Sequence, residues 1–123
     1  MTYRYKGSPT NRQLKVSELI RQEIAMIFAR KEVYHPYLES LHLTVIEVKT
    51  SADLKLSTIF IYPVANSKED QLAKTLNFLA PEYRKRISSK VALKFTPEIK
   101  FVIDKNVDDR VNIEKVLQNL LPK

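Results

Sequence analysis

In 123 residues, 21 Lys and Arg face 14 Asp and Glu, giving a net charge of +7, and there is no cysteine and one glycine, Gly7. These absences exclude zinc ribbons, dithiol redox pairs and glycine-rich phosphate loops, each of which needs the missing residue type for its geometry. The excess of base suits a polyanionic partner, because every neutralised phosphate releases condensed counterions. With 44% hydrophobic residues the chain can bury one adequate core without staples, and its length predicts a single domain. The N-terminus has no apolar run and no stretch approaches the ~20 apolar residues of a membrane span, so a cytoplasmic protein without a membrane partner is expected.

Residues 1–9 read as a loose basic arm with Arg4, Lys6 and Pro9, followed by a domain over residues 10–123. A first helix is predicted from Thr10 or Asn11 to about Lys31, with Leu19, Ile20, Ile24, Ile27 and Phe28 as its apolar stripe. His35-Pro36 ends it, since proline disfavours helix at the residue before. Two extended segments follow, Leu41 to Lys49 and Lys55 to Tyr62, joined by a turn at Thr50-Ser51-Ala52-Asp53. The second alternates Ser57, Ile59 and Ile61 against Leu56, Thr58, Phe60 and Tyr62, and the short connection predicts an antiparallel hairpin. A second helix spans Ser67 to Leu79, with Ser67 and Asp70 at capping-box spacing and Leu72, Leu76 and Leu79 inward. Pro81 breaks it, and a further helix resumes from Glu82 to Val91 through Tyr83, Ile87 and Val91. Lys94 to Asp104 reads as a third strand opened by Phe95 and Pro97, with the proline at an edge or entrance. A last helix is expected over Asp108–Leu121, its N-terminus carrying Asp108 and Asp109. The fold class is therefore α+β in the order αββααβα.

The densest basic run is Arg84-Lys85-Arg86, continued by Lys90 and Lys94; Arg12, Lys15 and Arg21 add charge on the first helix. Together these eight are the candidate residues for binding RNA or DNA, able to track phosphates, against the plainer reading of solvated helix faces. As exposed charges, Arg84, Lys85 and Arg86 should tolerate reversal without loss of fold. Phe60 and Tyr62 could stack bases on an open sheet face, unless another element covers it. His35 and His42 have no nucleophile or carboxylate at telling spacing, which favours turn and strand-edge roles over acid–base chemistry on RNA. Glu18 with Glu23, or Asp108 with Asp109, could attract magnesium, but helix solvation and dipole matching explain them better. No catalytic residue, metal site or cofactor is expected.

Val45-Ile46-Glu47-Val48-Lys49-Thr50-Ser51-Ala52-Asp53-Leu54, followed by Ser57-Thr58-Ile59-Phe60-Ile61, resembles the hairpin of the ribosome-binding factor A family. In the same order come the Pro36-Tyr37-Leu38 turn after an Arg-containing helix, and Phe95-Thr96-Pro97-Glu98-Ile99-Lys100-Phe101-Val102-Ile103-Asp104 after a basic helix. The resemblance covers residues 10–121 and implies a KH-like domain of the bacterial type, with helices on one face of a three-stranded sheet. It also implies a kinked helix pair where KH domains carry a Gly-x-x-Gly clamp. Here the family's Ala-x-Gly kink reads Ala80-Pro81-Glu82, so alanine is kept and glycine lost. By resemblance the protein is a monomeric, non-enzymatic assembly factor that binds the free small ribosomal subunit and its rRNA, takes no small-molecule substrate, and assists late rRNA maturation and processing. Members of the family it resembles often carry a longer polar C-terminal tail; a chain ending at Lys123 is expected to lack that tail's function. The competing expectation is a general basic nucleic-acid-binding module, such as a ribosomal or DNA-binding protein.

Overall fold

The structure, a computed structural model, describes residues 8–64 and 68–104. The expected last helix, most of the basic arm and Ser67 lie outside the described residues. Within them the order is α1 (Asn11–Arg30), a 3-10 turn (Pro36–Leu38), β1 (Val45–Thr50), β2 (Leu56–Ile61), α2 (Glu69–Phe78), α3 (Ala80–Lys90) and β3 (Glu98–Ile103).

Helix α1 begins where its cap allows. Thr10 Oγ1 accepts the Gln13 N–H at 3.1 Å, and the Gln13 side chain accepts the Thr10 N–H at 2.8 Å, satisfying two donors that a helix start leaves free. At the other end Lys31 turns the chain out at φ 50, and the N–H groups of Lys31 and Glu32 close on Phe28 and Ile27 carbonyls. The buried stripe is Gln13, Val16, Ser17, Ile20, Ile24, Ile27 and Phe28. Leu19, expected on that stripe, is 42% exposed, because it sits ~100° around the helix from Ile20.

In the sheet, β2 is central, antiparallel to β1 and parallel to β3. The pairing aligns Val48, Ile59 and Phe101 in one row, and Thr50, Ser57 and Ile99 in the next. All six are buried, while their neighbours Lys49, Thr58 and Lys100 point to the opposite face. A bulge between Val45 and Glu47 absorbs one residue. The first strand begins at Val45 rather than at the expected Leu41: Leu41 and Leu43 pack against the core from the approach loop rather than from a ladder.

The helices cover the buried face. Phe28 of α1, Tyr83 of α3 and Phe101 of β3 meet with ring centroids 5.2–6.2 Å apart, two of the three contacts edge-on. The helix pair breaks as expected, with Leu79 (φ −88, ψ −2) ending α2 and capping α3, and Pro81 in the first turn of α3 where its missing N–H is harmless. The break falls at Leu79, so α3 starts at Ala80, two residues before the expected Glu82. The expected capping box of α2 is not its start. The N-cap is Lys68, with no side-chain cap, and Glu69 and Asp70 favour this end through the helix dipole instead.

A buried polar seam joins α1 to the hairpin. Gln13 Nε2 donates to the Thr50 carbonyl at 3.0 Å, Ser17 Oγ donates to Thr50 Oγ1 at 2.8 Å, and Thr50 Oγ1 meets Ser57 Oγ at 2.8 Å. Thr50 is the hub, and every hydroxyl in the seam has a partner. Thr50→Val, nearly isosteric, leaves the Ser17 and Ser57 hydroxyls buried without their hub and should destabilise by about 2–3 kcal/mol, read as a lower urea midpoint. Replacing all three together (Ser17→Ala, Thr50→Val, Ser57→Ala) should recover most of that loss, since no polar group is then orphaned.

Candidate nucleic-acid interface

The seam fixes the N-terminus of α1 over the β1–β2 turn, and that placement builds the site. The turn is organised by its own side chains. Ser51 Oγ donates to Asp53 at 2.6 Å and accepts the Leu56 N–H at 3.0 Å, while Asp53 accepts the Lys55 N–H at 3.0 Å. These bonds, the Ser51 hydroxyl first, hold the Asp53 carboxyl below its usual range. Leu54 takes the left-handed conformation, φ 61, and its side chain packs against the core, which offsets part of that strain. The Ser-x-Asp-Leu sequence is thus a folding instruction for the turn, which leaves Lys55 exposed on its outer side.

Beside the turn runs the Val91–Pro97 connection into β3. Its far end is pinned by Arg84, whose guanidinium donates to the Thr96 carbonyl at 2.8 and 3.2 Å and to the Pro97 carbonyl at 3.2 Å. Pro97 is buried at the strand entrance, as its sequence position suggested. Between the turn, the connection and the start of α1 lies an open groove whose cations are Arg12, Lys55, Arg84 and Lys94 and whose acids are Asp53 and Glu98. Arg84, Lys94 and Phe95 also line a second concavity, which carries the surface along α3 to Lys85, Ser88 and Ser89.

Of the eight expected residues, the structure brings Arg12, Arg84, Lys85 and Lys94 to this continuous surface. Arg86 and Lys90 turn the other way, onto Glu32 just beyond α1: Lys90 Nζ lies 3.0 Å from the carboxylate and Arg86 3.5 Å. The Lys90 hydrogen bond is the main cause that lowers the Glu32 pKa. Arg86 also lies 3.3 Å from Glu82. Arg21 is held by Glu18 through bonds of 2.9 and 2.5 Å, which with Gln22 bring the Glu18 carboxyl down to about 2; that pairing accounts for Glu18 without a metal. Lys15 is exposed on α1 and lines neither concavity.

The expectation that Arg84, Lys85 and Arg86 can be reversed without structural cost therefore needs correction. Arg84 ties down the entrance to β3 and Arg86 bridges α3 to Glu32; only Lys85 is a plain exposed charge. Two further members of the surface, Lys55 and Phe95, escaped sequence reasoning. By sequence Lys55 reads as the start of a strand, and Phe95, which reads as opening β3, stands on the loop before it and is 77% exposed. A phenylalanine next to Lys94 in a basic run was the available signal.

Other candidates have structural occupations. His35 caps the 3-10 turn, its Nδ1 accepting the Tyr37 N–H at 3.1 Å. His42 is exposed in the loop before β1. Phe60 and Tyr62 are half-buried and engaged. Among the described residues no group of three or more His, Asp or Glu could hold a metal ion, and no helix is long and apolar enough to cross a membrane.

Comparison with known proteins agrees with this architecture. Residues 12–117 match the family model for ribosome-binding factor A. The ribosome-binding factor A of Pelagibacter ubique is 37% identical over 113 residues, covering 91% of this chain and 93% of the relative. That of Ruegeria sp. (strain TM1040) is 38% identical over 100 residues, covering 81% and 76%. In fold, the chain is similar to the crystal structure of ribosome-binding factor A from Thermus thermophilus, with a TM-score of 0.59 at 16% identity, covering 74% of this chain and 94% of that one. It is similar also to the Thermus thermophilus factor as fitted into the cryo-EM map of a 30S–RbfA complex, with a TM-score of 0.56 at 16% identity, covering 70% and 88%. Match length and identity together place this chain in the ribosome-binding factor A family.

Proposed function

We propose that this protein is a cytoplasmic, monomeric and non-enzymatic assembly factor that binds the free small ribosomal subunit and assists late maturation and processing of its rRNA. Family membership supports the ribosome as partner, and the relative fitted into a 30S complex supports the small subunit. The observation that carries the reading to particular residues is the convergence of Arg12, Lys55, Arg84, Lys85 and Lys94 on one surface, although these cations come from α1, the β1–β2 turn, α3 and the β3 approach. On this reading residues 10–123 form one KH-like domain in the order αββααβα. The Leu79 break stands where a glycine clamp would otherwise grip the backbone, so binding rests on charge. Lys15, Arg21, Arg86 and Lys90 then act as a peripheral field, the last three already partnered by carboxylates.

Sedimentation with purified subunits tests this. The protein should travel with free small subunits and be absent from translating ribosomes, and its affinity should fall steeply with salt. Each phosphate-contacting lysine removed should make the log–log salt slope shallower by about 0.7–0.9. Binding that is indifferent to salt, or equal on translating ribosomes, would overturn the reading and favour a general basic module.

A further inference from the structure

Phe95 has no structural reason to be where it is. Its ring is 77% exposed, yet the loop that carries it is firmly held: Leu93 packs against the core on one side, and on the other Pro97 is buried and Arg84 grips the Thr96 and Pro97 carbonyls. The contacts at both ends of the loop thus hold an exposed aromatic ring out to solvent. Phe78 and Tyr34 are comparably exposed, but neither lines the basic groove. Phe95 does, and Lys94 Nζ lies 5.8 Å from its ring centroid.

We propose that Phe95 is a stacking platform for one unpaired nucleobase of single-stranded RNA, with Lys94, Arg12 and Lys55 holding the adjoining phosphates. The proposal rests on the rRNA-binding reading and deepens it from charge alone to a base-sized subsite. The chemistry follows from the arrangement. A ring presents two flat faces, and an ammonium drawn to one of them leaves the other for a base while standing at phosphate distance from the same nucleotide. Duplex RNA keeps its bases stacked internally and can offer the subsite only phosphates, so the platform selects single strands. Charge complementarity favours RNA over an apolar protein segment, because four cations, Arg12, Lys55, Arg84 and Lys94, line the groove beside the ring against two carboxylates, Asp53 and Glu98.

The chain has no tryptophan, so Phe95→Trp places a single reporter at the site while keeping a stacking ring. On titration with a single-stranded oligoribonucleotide of about ten nucleotides, its fluorescence should be quenched; a blunt-ended, fully paired RNA duplex of about the same length should quench it little. Phe95→Ala should weaken binding of the single strand about tenfold and of the duplex by less than twofold, with an unchanged melting temperature. Phe95→Leu should behave like the alanine variant, since it is apolar but cannot stack. Equal binding by Phe95→Ala and wild type, equal loss on both RNAs, or rescue by Phe95→Leu would each overturn the proposal, the last pointing to an apolar protein contact. Wild-type co-sedimentation with the small subunit is scored separately. If it holds while the Phe95 variants show no single-strand effect, only the stacking subsite falls; if it fails, the ribosomal reading falls.

Discussion

Replacing Arg12, Lys85 and Lys94 together by glutamate is expected to abolish co-sedimentation with the small subunit while leaving the protein folded. All three side chains are exposed, line the two joined concavities and have no carboxylate partner among the described residues. Exposed substitutions of this kind change stability by less than about 0.5 kcal/mol each. Each charge-assisted phosphate contact contributes about 1.5 kcal/mol or more, so removing three weakens binding about a thousandfold before the added repulsion is counted. Arg84 and Arg86 are deliberately left out, because their guanidinium groups hold the β3 entrance and Glu32. Lys74→Glu, exposed on α2 and lining neither concavity, should leave binding within about twofold, as a charge outside the site and screened by salt. A triple variant that melts like wild type and still co-sediments would remove this surface from consideration.

The largest loss of stability is expected at the aromatic junction of α1, α3 and β3. Phe101→Ala removes the ring that meets both Phe28 and Tyr83 and should cost about 3–5 kcal/mol, a large fraction of the ~5–15 kcal/mol that holds a domain together. Chemical denaturation would show it as a much lower midpoint. Tyr83 adds a pH signature. Burial pushes its hydroxyl up to about 12, with Arg86 acting weakly in the other direction. The unfolded tyrosine ionises near pH 10 and the folded one does not. The unfolded state therefore binds fewer protons between pH 10 and about 12, and stability contributed below pH 10 is lost as pH rises through that window. Tyr83→Phe should flatten this decline, which a denaturation midpoint followed from pH 9 to about 12 would reveal.

Periodicity made much of the fold legible. The alternation of Ser57, Ile59 and Ile61 identifies the central strand's buried face, and Pro81 marks a break because a ring without an N–H cannot sit inside a helix. What hydropathy missed was polar. Gln13 and Ser17 occupy stripe positions but are not apolar, and they are buried because Thr50 and Ser57 supply partners from distant segments. The site was half legible for the same reason. A basic run shows which residues carry charge, but Glu32 lies 54 and 58 residues from the Arg86 and Lys90 it neutralises, and only folding decides which cations are occupied. Arg84 looked like surface charge because a backbone carbonyl leaves no trace in sequence. Lys55 and Phe95 looked like strand residues because local propensity cannot see where a ladder begins.

The parallel pairing of β2 with β3 also orders the assembly of the domain in time. The β1–β2 hairpin closes across a five-residue turn as soon as both strands exist, whereas β3 can be reached only after the whole α2–α3 crossover has formed. During synthesis, α1 and the hairpin are complete well before Phe101 is made. In that interval the edge of β2 that will pair with β3 presents unpaired N–H and C=O groups beside Ile59 and Ile61. Such an edge is open to another chain's strand, so the newborn protein is most vulnerable to aggregation between completing its hairpin and receiving its last strand.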